Sequence, residues 1–260
     1  MTTSKRVLAI VMALATGAAV STFASTPAAA EAAADTATLY VVQGLPGAMI
    51  DVAVDGSPVA QDVPTTTVIG PLEVNPGARS LTFTDQNGKV VADNTIDAAA
   101  GSNSDLVLHM TSVAGDPPVV TQFPNDLTGV PSDKASVTVA HTAAVPPADI
   151  RVDGAVLFAN VANGESLNLV VPAGGYSVDI VPAGESSPIV FGPVNLTVQG
   201  GSLNRVYAVG DPAASTMNVA VHVIAVPESG SAQPTSINTG TGGAAVVLQL
   251  LARFLHLWRG

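Results

Sequence analysis

The sequence predicts an all-β protein that consists of two antiparallel β-sandwich domains in tandem, each of immunoglobulin-like size. Three observations predict this fold: an internal repeat, short segments in which apolar and polar residues alternate, and turn-forming residues between those segments. A period of two places the apolar side chains of a strand on one face, as in a half-buried sheet. Helices are expected only near the two ends of the chain, as a signal helix and a short apolar helix.

The repeat becomes visible when the two halves of the chain are aligned. Residues 37–63 align with residues 135–161 without a gap, and the VDG that ends MIDVAVDG at Gly56 returns in ADIRVDG at Gly154. Further on, NPGARSLTF matches PAGGYSVDI, and AGSNSDLVL matches QGGSLNRVYAV. Two copies are too few for a solenoid, so we interpret them as a duplicated domain. About seven short strands per copy favour a sandwich, with a small barrel as the alternative.

These observations divide the chain into six parts. Turn-forming residues mark the junction between the copies, and a polar stretch follows the second copy. The predicted parts are a signal peptide (residues 1–30), a first sandwich (36–124), a linker (125–134), a second sandwich (135–226), a Gly/Ser/Thr/Pro spacer (227–243) and an apolar amphipathic segment (244–260).

The alternation also predicts which side chains face the core. In the second copy, Val137 and Val139 are expected on the inner face, with Ser136 and Thr138 opposite. Leu167, Leu169 and Val171 form another inner set, as do Val219, Val221 and Val223. The pairs Asp-Gly at 55–56 and 153–154 are typical of tight hairpin turns, because both residue types tolerate a left-handed backbone.

The first thirty residues have the three-part layout of a secretory signal peptide. Lys5 and Arg6 precede an apolar run of 14 residues, which as a helix spans about 21 Å, less than the ~30 Å of a membrane core. Cleavage after Ala24 or after Ala30 fits the small-x-small rule, and a retained anchor is the alternative reading. We therefore expect a secreted protein.

Composition excludes several classes of function. The chain carries 20 acidic against 9 Lys and Arg residues, and loss of Lys5 and Arg6 would move its net charge from -11 to -13. Such a surface repels phosphate backbones, so no nucleic-acid partner is expected. The chain has no cysteine, which excludes thiol catalysis and disulfides and leaves core packing as the source of stability.

The segment 244–260, AAVVLQLLARFLHLWRG, leaves three possibilities open. Its apolar run, interrupted by Arg253, is short for a membrane span and fits an interfacial amphipathic helix with Trp258 near the headgroups. A spacer, an apolar stretch and a terminal Arg are also similar to a cell-wall sorting signal, although SINTG matches the usual motif only at Thr239 and Gly240. The third possibility is a helix that binds a partner or a poorly ordered end.

The second copy resembles a bacterial family, the domain of unknown function 4397. The residues that carry the resemblance are VTVAHTAAVPPADIRVDG (137–154), VPAGGYSVDIVPAG (171–184) and FPNDLTG (123–129). The resemblance extends over 37–226 and implies exported β-sandwich domains, often in tandem, without an established activity. Here the loop after the strand-end His141 is TAAVPP, without the Asp that is usual in the family, and the first copy has Gln43 in place of the histidine.

Candidate catalytic and metal-binding groups are few. The four histidines show no metal-ligand spacing. We expect His222 to be exposed and His141 to be a hydrogen-bonded strand-end residue. His109 lies on a strand that has no histidine in the other copy, and His256 lies in the C-terminal tail. Asp51 and Asp55 share one strand face, as do Asp149 and Asp153. The two carboxylates of each pair are expected to lie about 13 Å apart, which is beyond the spacing of glycosidase carboxylates. They are expected to form a solvated face, with Arg151 weakly paired between Asp149 and Asp153.

The sequence therefore predicts a non-catalytic protein with no catalytic residues, no cofactor and no metal. Its expected role is structural or interactive, with an envelope or matrix protein or a glycan as partner, and possible membrane-surface contact through 244–260. A carbohydrate-binding module is the alternative, for which Tyr40 and Tyr207 could form an exposed platform, unless they pack between sheets; Tyr176 is expected on the core face. A hydrolase, which would need a Ser-His-acid site assembled in space, is the third possibility.

Overall fold

The computed structural model describes residues 35–113 and 115–229, and its regular elements there are all β-strands. The all-β prediction is thus confirmed, whereas the expected signal peptide and the segment 244–260 lie outside the described residues. None of the described residues forms a helix long and apolar enough to cross a membrane. The first copy contains β1 (Ala37–Gln43), β2 (Ile50–Val54), β3 (Ser57–Val63), β4 (Val68–Val74), β5 (Gly77–Asp85), β6 (Val90–Ala98), β7 (Asn103–His109) and β8 (Val119–Pro124).

The second copy repeats this order strand by strand. It contains β9 (Lys134–His141), β10 (Ala148–Val152), β11 (Ala155–Val161), β12 (Ser166–Pro172), β13 (Gly174–Pro182), β14 (Phe191–Val198), β15 (Ser202–Val209) and β16 (Asn218–Ala225). The sheets β4-β1-β7-β8 and β3-β2-β5-β6 form the first module. The sheets β12-β9-β15-β16 and β11-β10-β13-β14 form the second, in the same spatial order. Identical order in both modules is the result expected of a duplicated domain.

Each module contains one parallel strand pair in an otherwise antiparallel arrangement. β1 runs parallel to β7, and β9 runs parallel to β15. Parallel neighbours require a long crossover connection, and here the intervening strands of the module supply it. The hairpins agree with the sequence: Asp55 and Gly56 have φ of 49° and 75°, and Asp153 and Gly154 have 50° and 79°. Positive φ at both central residues defines the type I′ turn that matches strand twist.

The core of the first module lies between its two sheets. It includes Leu39 and Leu106 from one sheet and Ile50, Leu81 and Phe83 from the other, all fully or almost fully buried. Burying a side chain of this size contributes roughly 1.5–3 kcal/mol. In the second module Val137 packs with Ala135 and Val198, as the alternation predicts.

The sheets β4-β1-β7-β8 and β12-β9-β15-β16 are buried on both faces in their central strands. Their outer faces contact each other in a cluster made of Val42, Val107, Phe123, Ala140, Tyr207, Val209 and Ala220. Consequently Ser136 and Thr138, predicted to lie on the polar face, are buried, and every residue of β15 is buried. The two modules are therefore parts of one compact unit.

The valines of strand β16 lie on the predicted face of the sheet, in line with Val206 and Val139, but that face is not covered at the edge. Val221 and Val223, expected in the core, are 42% and 39% exposed, whereas Ala220 and His222 are buried. The reason is that β16 is an edge strand whose other face packs against the first module, while its valine face is left largely uncovered. Leu167 on the opposite edge strand β12 is likewise 39% exposed, contrary to its predicted core position.

Candidate functional site

The most concentrated polar chemistry of the described residues lies between the two modules. Asp105 occupies the centre of β7, has no exposed surface, and points away from its own core toward the second module. Its carboxylate accepts a hydrogen bond of 2.6 Å from the hydroxyl of Tyr207 on β15. Nδ1 of His222 on β16 lies 2.9 Å from the same oxygen and 3.1 Å from the other. One carboxylate thus joins two strands of the other module.

Arg205 makes the return contact from the second module to the first. Its guanidinium is buried, donates through Nε to the side-chain oxygen of Asn125, and donates to the backbone oxygens of Phe123 and Pro124. The amide nitrogen of Asn125 in turn donates to Asp105 at 2.7 Å. Asn125, predicted as the first linker residue, therefore connects the buried anion to the buried cation.

Asp105 and Arg205 occupy equivalent positions of the two copies. Asp105 lies opposite Tyr40 on β1, and Arg205 lies opposite Thr138 on β9, the counterpart of Tyr40. Asp105 contacts His222 on β16, the last strand of the second module, and Arg205 contacts the Phe123 carbonyl on β8, the last strand of the first module. The interface is thus approximately reciprocal, as between two copies of one surface, but with opposite charges at matching sites.

The electrostatics of this network favour an ionised Asp105. Burial alone disfavours the charge, but the hydrogen bond and charge of His222, with the bonds from Tyr207 and Asn125, outweigh it and hold the pKa of Asp105 below its usual range. Burial, reinforced by the adjacent Asp105 charge, raises the pKa of Tyr207 well above its usual value, so its hydroxyl remains a donor. Such a satisfied network stabilises one arrangement of the modules.

Aromatic rings surround the network and correct two predictions. The ring of Tyr40 lies 4.2 Å from that of His222, and the ring of Phe123 lies 5.6 Å from that of Tyr207. His222 is therefore buried between modules, where an exposed position was expected. Tyr207 is fully buried, so Tyr40 and Tyr207 form no exposed sugar platform but pack between sheets. Tyr176 is partly buried against the second core, as predicted.

Two further histidines are buried at the ends of their strands. Burial lowers the pKa of His109 and of His141, which favours the neutral form of both rings. His109 bonds through its two nitrogens to the Met110 carbonyl and the Thr121 hydroxyl. His141 bonds the Pro146 carbonyl, as expected of a strand-end histidine, but its Nδ1 is buried without a partner. The cavity beside it, about 10 Å³, has room for no more than roughly one water.

The predicted carboxylate face is organised differently from the expectation. Asp149 is buried and accepts bonds from the backbone amides of Asn160 in β11 and Gly184 in the loop after β13, so it joins these two segments and is not solvated. Arg151 pairs across the sheet with Asp179, at 2.6 Å and 3.0 Å, and not with its strand neighbours. This bidentate contact raises the pKa of Arg151. The correction follows from strand pairing, since β10 lies beside β13.

A groove of about 440 Å³ runs between the edge strands of the first module. Asp55, Glu73 and Arg79 line it together with apolar residues. Arg79 pairs with Asp55 at 3.0 Å, and Glu73 accepts bonds from the hydroxyls of Thr36 and Thr38. The ionic groups of this groove are therefore bound to one another or to neighbouring strands.

Within residues 35–113 and 115–229, no cluster of three or more histidine or carboxylate side chains could hold a metal ion. The Asp105–His222 pair resembles two members of a hydrolytic triad. However, the only side-chain hydrogen bonds of His222 in the described structure go to Asp105, so no hydroxyl nucleophile is aligned with it. The arrangement can hold two modules together, but it lacks the third group that acyl transfer requires.

Sequence reasoning missed Asp105, Arg205 and Asn125. A signal was present, because NSDLVLH and SLNRVYAV each place one charged residue directly before an apolar run, at matching positions of the repeat. A charge in such a place requires a buried partner, which the other copy supplies.

Comparison with known proteins agrees with the family resemblance. Residues 37–147 match the model of the domain of unknown function DUF4397, which confirms the resemblance for the first copy and the beginning of the second. Among curated proteins none matches significantly. One similar solved structure is the Bacillus anthracis TIE protein, at 11% identity and a TM-score of 0.22; the match covers 67% of this chain and 34% of that one. The match thus spans about a third of the length of that protein.

Proposed function

We propose that this chain is an exported, non-catalytic protein of the cell envelope or its surroundings, in which two coupled sandwiches present an acidic surface to a protein or matrix partner. The observation that carries the proposal is the contact of Asp105 with Tyr207 and His222. The groups with the greatest catalytic potential are buried in contacts between modules. Their geometry supports a structural role for them.

The composition and the amino-terminal layout support the rest of the proposal. The surface is acidic, with a formal net charge of -11, and the signal-like segment at residues 1–30 supports export. A basic or neutral partner is favoured, because an acidic surface steers such partners by long-range attraction that salt weakens. A carbohydrate-binding role has less support, since Tyr207 is buried and Tyr40 stacks against His222.

The test combines location with binding. Cells that make the chain are fractionated, the mass of the secreted form is measured, and residues 31–260 are incubated with isolated envelope material. We expect binding that falls by about tenfold between low and physiological salt and that disappears after the material is treated with protease. Binding that survives protease but is lost after glycosidase treatment would favour the carbohydrate-binding alternative.

A second arm addresses catalysis. Turnover of ester or glycoside substrates by the same preparation, abolished in His222→Ala but retained in His256→Ala, would overturn the non-catalytic assignment. We expect no difference between these two variants and the unchanged protein in such assays.

A further inference from the structure

The second module has an apolar flank, formed by Val156 and Leu157 of β11 and Leu167 and Val170 of β12. These side chains are 52%, 39%, 39% and 47% exposed. Both strands are edges of their sheets, because each pairs with a single neighbour. Only residues 162–165 connect them, and the equivalent strands of the first module, β3 and β4, line one groove, so β11 and β12 lie on the same side of the sandwich. Neither AVLFANV nor SLNLVVP contains a charged residue, although the protein is strongly acidic.

The equivalent strands of the first module are protected. Strand pairing shows that Pro58 is the counterpart of Val156, since they pair with the equivalent residues Ala53 and Arg151. In the same way Glu73 is the counterpart of Val170, since they pair with Thr38 and Ser136. Proline and charge are the usual means by which an edge strand avoids pairing with other chains. The second copy has valine at both positions. Since the two copies share a fold, this difference marks the flank as a binding surface.

We propose that the apolar flank binds residues 244–260 of the same chain. These residues lie outside the described part of the structure, and their sequence AAVVLQLLARFLHLWRG is mainly apolar with two arginines and no acidic residue. Such a segment combines apolar contact area with a positive charge that the acidic modules attract. The proposal does not depend on the proposed function.

The point where the described chain ends lies within reach of the flank. Ile224, Leu203, Ser136 and Val170 are successive cross-strand neighbours, so Ile224 lies three strand spacings, or about 14 Å, from Val170. Ser229 follows Ile224 by five residues (229 − 224 = 5), which adds at most about 17 Å. Residues 230–243 supply 14 more residues (243 − 229 = 14), with a maximum span of about 46 Å.

This reach favours the chain's own segment over other occupants. A tethered segment is present at high effective concentration, which can raise occupancy without any additional contact. A second copy would bring another acidic molecule, with a formal net charge of -11, against the first. A membrane that captured residues 244–260 would instead leave the flank exposed.

The chain has no cysteine, so cross-linking can be directed to single pairs. Val170→Cys is combined with Leu251→Cys in residues 31–260 and treated with a short bis-maleimide reagent. The matched control joins Glu73→Cys, at the equivalent position of the first module, to Leu251→Cys. We expect the Val170 pair to give at least about tenfold more intramolecular product than the control, because tethered contact raises local concentration.

Proteolysis gives a second measurement that does not need cysteines. Trypsin cleavage after Arg253 should be about tenfold faster in Val170→Glu than in the unchanged protein, because cleavage follows the population of the undocked segment. Glu73→Val serves as the control and should leave the rate unchanged. Unchanged far-ultraviolet circular dichroism of each variant shows that its sheets are intact.

Three results would overturn the proposal. Equal intramolecular cross-linking from positions 73 and 170 would show that the segment has no preferred site. Products that are mainly dimers would assign the flank to a second copy. The third result combines two measurements. If residues 244–260 bind vesicles of anionic lipid, and the thiol introduced by Val170→Cys is fully reactive in solution without vesicles, the segment does not cover the flank.

Discussion

Asp105 is the residue on which the arrangement of the modules most depends. Its carboxylate has no exposed surface and forms hydrogen bonds with Tyr207, His222 and Asn125. A buried charge of this kind is tolerated only when its partners are all in place, because unpaired it would cost several kcal/mol. Each partner lies in a different segment of the sequence, so the carboxylate ties together residues that are far apart in the chain.

Asp105→Asn is expected to lower the free energy of unfolding by about 3 kcal/mol. The amide keeps the shape of the side chain but removes the charge and presents a donor to at least one group that requires an acceptor. Urea unfolding followed by far-ultraviolet circular dichroism measures the change. Asp97→Asn, at an exposed position of β6, is the control and should change stability by no more than about 0.5 kcal/mol.

Tyr207→Phe separates the hydrogen bond from the packing. We expect a loss of about 1–2 kcal/mol in the same measurement, because Asp105 then lacks one of its donors while the ring still fills its site. Tyr176→Phe removes an exposed hydroxyl bond to the Pro172 carbonyl and should cost much less. Equal losses in the two variants would contradict the importance assigned to the buried network.

At the scale of single residues, the sequence predicted the turns and inner-face positions such as Val137 correctly but misjudged His222. The reason is that alternation identifies which residues share a face and does not identify what covers that face. A strand with polar residues on one side is normally solvated there, and in β15 and β16 the other module takes the place of solvent. The charges Asp105 and Arg205 could have indicated this, since they match across the repeat.

Among the elements, the loop after β1 shows how closely the modules approach. A Cβ atom on Gly44 would lie 2.6 Å from the Leu108 carbonyl oxygen and 3.0 Å from Cγ1 of Val209 in the second module. The first of these contacts is with backbone, which cannot easily move. Gly44 therefore sets the distance between this loop and both of its neighbours.

Gly44→Ala should destabilise the protein by about 1–3 kcal/mol, because the added methyl group overpacks the junction. Thermal unfolding would record this as a lower Tm. Gly175→Ala is the matched control, since its Cβ would meet nothing within 4 Å and its φ is not positive. A comparable loss of Tm in the control would show that the effect comes from the glycine backbone and not from the junction.

Element types and their order were largely predictable from the repeat, but the parallel pairs were not. Periodicity identifies β1 and β7 as strands and carries no information on which strands become neighbours. The pairing of β1 with β7 joins the beginning and the end of a module, and it appears only in the complete sheet. For the same reason the sequence could not place β16 at an edge with its valines exposed.

At the scale of the whole molecule, two buried histidines make stability depend on pH. The pKa values of His109 and His141 are lowered by burial, so the unfolded chain binds protons before the folded one does. Above the pKa of histidine in the unfolded chain, about 6.5, the two residues do not change the stability, and they lower it increasingly as the pH falls below that value. The free energy of unfolding should therefore decrease between pH 7.5 and pH 5.5.

His141→Gln should reduce that decrease. Glutamine is the residue that the first copy has at this position, where Gln43 bonds the Leu45 and Ala48 carbonyls. Urea midpoints at pH 7.5 and pH 5.5 provide the comparison, and the variant should lose less stability on acidification than the parent. His256→Gln is the control and should keep the parent's pH dependence; an unchanged difference in His141→Gln would rule out this residue as a cause.

The reciprocal interface also affects the order in which the chain matures. Synthesis proceeds from the amino end, so the first module is complete at Pro124, before its counterpart exists. Until β15 and β16 arrive, the face with Val107 and Asp105 has no cover. Newly made chains therefore pass through an intermediate with an exposed apolar interface, and a fragment that ends after the first module should aggregate or form a homodimer.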